Sequence, residues 1–81
     1  MCFQGLPRGF CVKYLPKKDA SMVLEDEKGG EFDTVYIATR TGLSGGWKGF
    51  ALGHDLDDGD AVVFELVEPT KLKVCFYFLY I

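Results

Sequence analysis

The stretch Gly46-Trp47-Lys48-Gly49-Phe50-Ala51-Leu52-Gly53-His54-Asp55-Leu56-Asp57-Asp58-Gly59-Asp60-Ala61-Val62-Val63-Phe64-Glu65-Leu66 decides how this chain folds. Gly46 lets the backbone turn beneath Trp47, and an indole there can plug the end of a small barrel. Trp47 to Gly53 reads as a short helix or irregular turn that buries Trp47, Phe50 and Leu52. Gly59 turns the chain inside Asp57-Asp58-Gly59-Asp60, and Asp60 can accept backbone N–H bonds as the next strand begins. In that strand, Ala61 to Val67, the side chains of Val62, Phe64 and Leu66 recur at period two and share one face. Each of these residues has a packing role.

Working outward, Glu31 to Thr39 (EFDTVYIAT) is the strongest strand, rich in β-branched and aromatic residues. It pairs with Ala20 to Glu25 across Glu27-Lys28-Gly29-Gly30, where glycines supply positive φ cheaply. Arg40 to Gly46 is a small, polar, glycine-rich loop. After the central stretch, Glu68-Pro69-Thr70-Lys71 forms a second hairpin turn with Pro69 at the position that favours φ near −65°. The last strand runs from Leu72 to Ile81. At the front, Met1 to Gly5 has no clear period. Leu6 to Pro16 predicts a helix of about two turns, with Pro7 in its first turn and Pro16 forbidding continuation. Phe10, Tyr14 and Cys11 share one face of it. Antiparallel strand pairs with short helices closing the ends imply an open barrel, mainly β, rather than an α/β layer fold.

At 81 residues the chain suffices for one small domain, residues 1–81. Nearly half the residues are apolar, which argues against disorder. The net charge of −3 is not that of a typical nucleic-acid binder. Phosphate contact is local, however, and the charge is uneven. Basic residues lie early (Arg8, Lys13, Lys17, Lys18) and centrally (Arg40, Lys48), while Glu25-Asp26-Glu27 and Asp55, Asp57, Asp58 and Asp60 are acidic clusters.

Three cysteines, Cys2, Cys11 and Cys75, with no C-x-x-C spacing, argue against a disulfide scaffold and for a reducing compartment. No secretory signal pattern opens the chain, and the apolar tail from Val74 to Ile81 is too short to span a membrane as a helix. His54 is the only histidine, and no serine or cysteine near it sits in a nucleophile motif, so no enzyme is expected. Gly-Leu-Ser-Gly-Gly-Trp-Lys lacks the ending of a phosphate loop. The acidic turn is too short for a calcium loop, and the cysteines and His54 lack zinc spacing, so neither metal nor cofactor is expected.

Gly46-Trp47-Lys48-Gly49-Phe50, His54-Asp55-Leu56 and Gly59-Asp60-Ala61-Val62-Val63-Phe64-Glu65-Leu66 together resemble the hallmark of the plant B3 DNA-binding superfamily. That hallmark is a Gly-Trp, a Phe three residues on, a Leu, and a Gly-Asp leading into an apolar strand containing Phe. Leu6-Pro7 and the following helix resemble the family's first helix, and the resemblance extends roughly from Gly5 to Val74. It implies an open β pseudobarrel, a nuclear setting and sequence-specific binding of double-stranded DNA in transcriptional regulation. The family grips the major groove with two arms, one before the first helix and one joining the two strands before the Gly-Trp. By position the second arm is Thr39-Arg40-Thr41-Gly42-Leu43-Ser44. Arg40 can bond guanine bidentately or grip phosphate, the hydroxyls of Thr39, Thr41 and Ser44 can meet bases or phosphates, and Leu43 can touch a thymine methyl. Lys48 and Arg8 would lie near phosphates. The same loop composition also suits an ordinary solvated loop, and only the resemblance favours an arm.

Two departures stand out against the family pattern. Only Met1-Cys2-Phe3-Gln4-Gly5 precedes Leu6, so the first strand is expected to be missing and the first arm reduced to Gln4, Gly5 and Arg8. The tail Cys75 to Ile81 is unbroken apolar and aromatic where relatives turn polar. A missing edge strand would expose backbone and invite pairing. The alternative function is therefore a truncated protein-interaction or dominant-negative module that self-associates or binds other B3-type proteins.

Overall fold

Side-chain alternation along the strands builds this structure, a computed structural model that describes residues 3–56 and 61–77. The elements are β1 (Gln4–Gly5), α1 (Arg8–Tyr14), β2 (Ala20–Glu25), β3 (Glu31–Ile37), a 3-10 turn (Ala38–Arg40), β4 (Gly42–Leu43), α2 (Trp47–Gly53), β5 (Ala61–Glu68) and β6 (Lys71–Tyr77). All six strands form one curled sheet in the order β1-β4-β3-β2-β6-β5, an open pseudobarrel. Even-numbered residues face the core: Met22 and Leu24 from β2, Thr34 and Tyr36 from β3, Leu72 and Val74 from β6. Val62, Phe64 and Leu66 of β5 pack against it in the expected phase.

Two hairpins, β2–β3 and β5–β6, are antiparallel as their turn chemistry requires. The seam between the two expected hairpins runs in the other sense. β2 and β6 run parallel, with Leu24 opposite Leu72 and Val23 opposite Lys71. β1 and β4 are also additions, each two residues long, in segments that carry no strand pattern. Tertiary approach creates them: Gln4 pairs with Leu43 and Gly5 with Gly42. β1 lies at one edge of the sheet, paired with β4. The last strand is described to Tyr77; its continuation to Ile81, the Asp57–Asp60 turn and Cys2 lie outside the described residues.

The Gly46–Trp47 step behaves as a plug. Gly46 has φ +89°, and a Cβ there would strike the carbonyl of Asp33. This close approach lets the Gly45 carbonyl accept from both the Val35 N–H (2.9 Å) and the buried Thr34 hydroxyl (2.7 Å). Trp47 is buried, with ring centroids 5.5 Å from Phe50 and 5.9 Å from Phe64. Leu52 corrects the expected burial of this helix, being 59% exposed. Trp47, Phe50 and Ala51 are spaced at three and four and take the inward face, which turns Leu52 outward. In α1 the same spacing gives Cys11 and Leu15 to the core; the Phe10 and Tyr14 rings touch at 5.6 Å, but Tyr14 stays exposed.

At the far end of α2, His54 ties the helix to the β2–β3 turn. Its Nδ1 lies 2.7 Å from the Phe50 carbonyl oxygen and its Nε2 lies 2.9 Å from the Asp26 carboxylate. Asp26 also accepts from the backbone N–H groups of Gly30 (2.7 Å) and Lys28 (3.0 Å). The Asp26 carboxyl is held below its ordinary value of 3.8, chiefly by the His54 hydrogen bond, against the opposing effect of burial and with help from the two N–H groups.

Two stability measurements check this account. Gly46→Ala is expected to lower the urea-unfolding free energy by about 2–3 kcal/mol through left-handed strain and the clash with Asp33. Gly49→Ala, in the same helix with nothing within 4 Å of its added Cβ, is expected to raise it by about 0.5–1 kcal/mol. Because the folded-state pKa of Asp26 is depressed, its contribution is present above about pH 4 and is lost as pH falls through the lowered value. Asp26→Asn is therefore expected to be less stable than wild type near neutrality, with the gap closing in acid.

Candidate nucleic-acid interface

The segment expected to form the second arm is not a floppy loop. β3 ends at Ile37, two residues earlier than the expected Thr39, because the backbone closes into the single 3-10 turn Ala38–Arg40. The Ala38 N–H donates to the Asp19 carboxylate (2.9 Å), and the Thr41 N–H returns to the Ala38 carbonyl (3.3 Å). Thr41 then adopts a left-handed conformation, φ 47° and ψ 53°, which is costly for a β-branched residue. From there the chain runs as β4 between β1 and β3, with Leu43 opposite both Gln4 and Tyr36. The Thr41 carbonyl accepts the Leu6 N–H at 2.8 Å, so α1 is anchored to the same turn.

This geometry sorts the expected site residues. Thr39 and Arg40 are exposed at the crest of the turn, with Thr41 half-buried beside them. Gln4 is half-buried on β1, next to β4, and Arg8 is exposed at the start of α1. These come from both expected arms and meet at one end of the barrel. Ser44 is half-buried, and its N–H bonds the Val35 carbonyl at 2.9 Å. Lys48 is exposed on α2, which follows the segment bonded to Thr34 and Val35, several residues before the crest. Leu43 is a correction. It is fully buried in the core, because alternation along β4 points it inward, and it offers no methyl contact to a ligand.

The sequence reading missed Phe3. Its ring lies under Arg40, with the guanidinium carbon 4.2 Å from the ring centroid. The only sequence hint was Gly42, since a glycine in a ladder often marks close approach of another group. Asp19, which fixes the start of the 3-10 turn, was also missed; it lies nineteen residues from Ala38 in the chain, outside every motif that the sequence singled out.

Charge is segregated along the β2–β3 hairpin. The crest end carries Arg40 and Arg8, with Lys17 on an open cleft it shares with Ala38 and Thr41, together with the Asp19 carboxylate that holds the Ala38 N–H. The opposite end carries Glu25, Asp26, Glu27 and Glu31. β3 separates the two ends by roughly 20 Å, well beyond a Debye length of about 8 Å in physiological salt. Acidic groups there are also partly neutralised. Lys71 contacts Glu31 (2.5 Å), Glu25 (3.3 Å) and Glu68 (3.7 Å), and Glu31 first, then Glu25, raise its pKa above the ordinary lysine value. A net negative protein therefore presents a locally basic end. Among the described residues, no group of three or more histidine, cysteine or acidic side chains is arranged to hold a metal, and no helix is long and apolar enough to cross a membrane.

The chain is similar to known proteins. The model of the family described as B3 DNA binding domain matches residues 1–79. A B3 domain-containing protein of rice is 64% identical over 74 residues, which is 90% of this chain and 26% of that protein. A second rice B3 domain-containing protein is 64% identical over 70 residues, covering 86% of this chain and 30% of its own length. A putative B3 domain-containing protein of Arabidopsis thaliana is 57% identical over 74 residues, or 90% of this chain and 27% of that protein. The chain thus spans between a quarter and a third of these relatives.

The strain at the crest can be measured directly. Thr41→Asn, which tolerates the left-handed conformation better, is expected to raise the unfolding free energy by about 0.5–1 kcal/mol in urea titration.

Proposed function

The chain belongs to the B3 DNA-binding domain family, which implies DNA binding, and we propose that residues 1–81 act as one domain reading double-stranded DNA sequence-specifically in the nucleus, as part of transcriptional regulation. The crest from Thr39 to Thr41 enters the major groove. Arg40 is the principal reader, placing its guanidinium against paired acceptors on a base edge, the commonest specific contact in that groove. Thr39 and Thr41 supply hydroxyls beside it. Gln4, from the other arm, approaches the same groove, and Arg8 contacts phosphate at its margin. Lys48 and the Ser44 hydroxyl serve as flanking phosphate contacts.

One observation carries this reading. Arg40 is exposed at the crest, and among the described residues no hydrogen bond or ion pair engages its N–H donors. Lys71 is held by three carboxylates, whereas Arg40 is held only by an aromatic face. A charged fork with unused donors on the basic end suits an anionic ligand that presents paired acceptors.

The test is a binding titration against a duplex selected from a randomised pool and against its scrambled form, at several salt concentrations. Wild type is expected to prefer the selected duplex and to weaken as salt rises. Arg40→Ala is expected to lose roughly tenfold or more of its affinity for the selected duplex, and most of its preference over the scrambled one. Equal affinity of wild type and Arg40→Ala for the selected duplex refutes the role of the crest.

A further inference from the structure

We propose that Phe3 is a positioning residue for DNA reading: its ring is a platform that holds the Arg40 guanidinium in place before DNA arrives. The inference rests on the reading of Arg40 given above and adds a residue that neither motif nor composition marks.

Three observations carry it. The Arg40 guanidinium carbon stands 4.2 Å from the centroid of the Phe3 ring, inside the range where a cation is attracted to a π face. The ring itself is seated. It lies across Gly42, where an added Cβ would collide with the Phe3 ring and with the Gln4 carbonyl, and it passes within 3.9 Å of where a Cβ on Gly5 would be. Gly42, which faces Gly5 across the β1–β4 ladder, therefore keeps the space that the ring fills. Finally, stacking covers a face of the guanidinium and leaves its N–H donors, which lie in its plane, free for a ligand.

The consequence is mechanical as well as energetic. A long arginine side chain loses rotamer freedom when it binds, and a platform that has already restricted it removes part of that cost. A carboxylate partner would also restrict the side chain, but it would occupy the donors and cancel the charge. An aromatic face does neither. Phe3 also joins the two arms, since it belongs to the segment before α1 while Arg40 belongs to the 3-10 turn after β3.

The experiment uses the full chain with Phe3→Leu, which keeps apolar bulk without a π face, and Phe3→Tyr, which keeps the ring. First, without DNA, proton NMR of the Arg40 side chain reads the stack. Wild type and Phe3→Tyr are expected to show ring-current upfield shifts that Phe3→Leu loses, while backbone amide dispersion shows all three folded. Absence of the shift in wild type overturns the proposal. Second, affinity for the selected duplex is expected to fall roughly three- to tenfold in Phe3→Leu and to stay within about twofold of wild type in Phe3→Tyr. In an Arg40→Ala background, Phe3→Leu is expected to cause no further loss, as in a cycle of two coupled residues. An equal loss in that background overturns the proposal, because Phe3 would then act independently of Arg40; so does wild-type affinity in Phe3→Leu. The NMR arm separates this inference from the function it rests on. A ring-current shift with a silent Arg40→Ala sinks the DNA role of Arg40, whereas no shift with a damaging Arg40→Ala sinks the platform alone.

Discussion

Leu24 and Leu72 face each other, fully buried, in the parallel ladder between β2 and β6. This seam is the only register linking the two antiparallel hairpins among the described strands, and it turns them into one curled sheet. The Val23 N–H donates to the Thr70 carbonyl at 2.9 Å where the seam begins. Lys71 then reaches Glu25 on β2, Glu31 on β3 and Glu68 at the end of β5, so one ammonium touches both hairpins. Exposed ion pairs contribute little individually. The burial of two leucines at the seam supplies more, and the ion cluster fixes which residues meet. The crest end is tied to this seam through β2, which pairs with β6 on one edge and on the other with β3, the strand that carries β4 and the 3-10 turn.

Closure also organises the electrostatics. By placing the β2–β3 turn at one end and the 3-10 turn at the other, the hairpin separates Glu25, Asp26, Glu27 and Glu31 from Arg40, while Asp19 stays at the 3-10 turn and holds the Ala38 N–H. Asp26 is consumed by His54 and two backbone N–H groups, and Lys71 gathers three glutamates. The net charge of −3 is a global sum and says little about the local charge at the end that carries Arg40.

Glycine serves two separate purposes in this architecture. At Gly46 the backbone itself needs positive φ and close contact with Asp33, which lets α2 deliver Trp47 to the barrel end. At Gly42 the conformation is ordinary strand, and what is needed is empty space for Phe3. Thr41, the residue before Gly42, takes a conformation that a glycine would adopt more easily. Strain of this kind persists where surrounding structure dictates it, and here the Leu6 and Ala38 hydrogen bonds hold the turn from both sides.

Most of the fold was readable from residue order alone, because its signals are local. Period-two alternation in Ala20–Glu25, Glu31–Ile37 and Ala61–Glu68 follows from strand geometry, and Gly29, Pro69 and Gly46 mark turns by their own φ preferences. The spacing of Trp47 and Phe50 set the inward face of α2, although the outward Leu52 showed that apolar character without phase misleads. A loop beginning at Arg40 was also visible in advance, from its glycine-rich composition, but the 3-10 turn that takes Thr39 out of β3 was not. Tertiary structure decided what depends on residues far apart in the chain: the parallel direction of the β2–β6 seam, the short β1–β4 ladder, the burial of Leu43 and the meeting of Phe3 with Arg40. Hydrophobic period tells a strand which face to bury but not which neighbour to choose or in which direction to run. Those choices are made when distant segments compete to cover the same apolar surface, and they exist only once the sheet has closed.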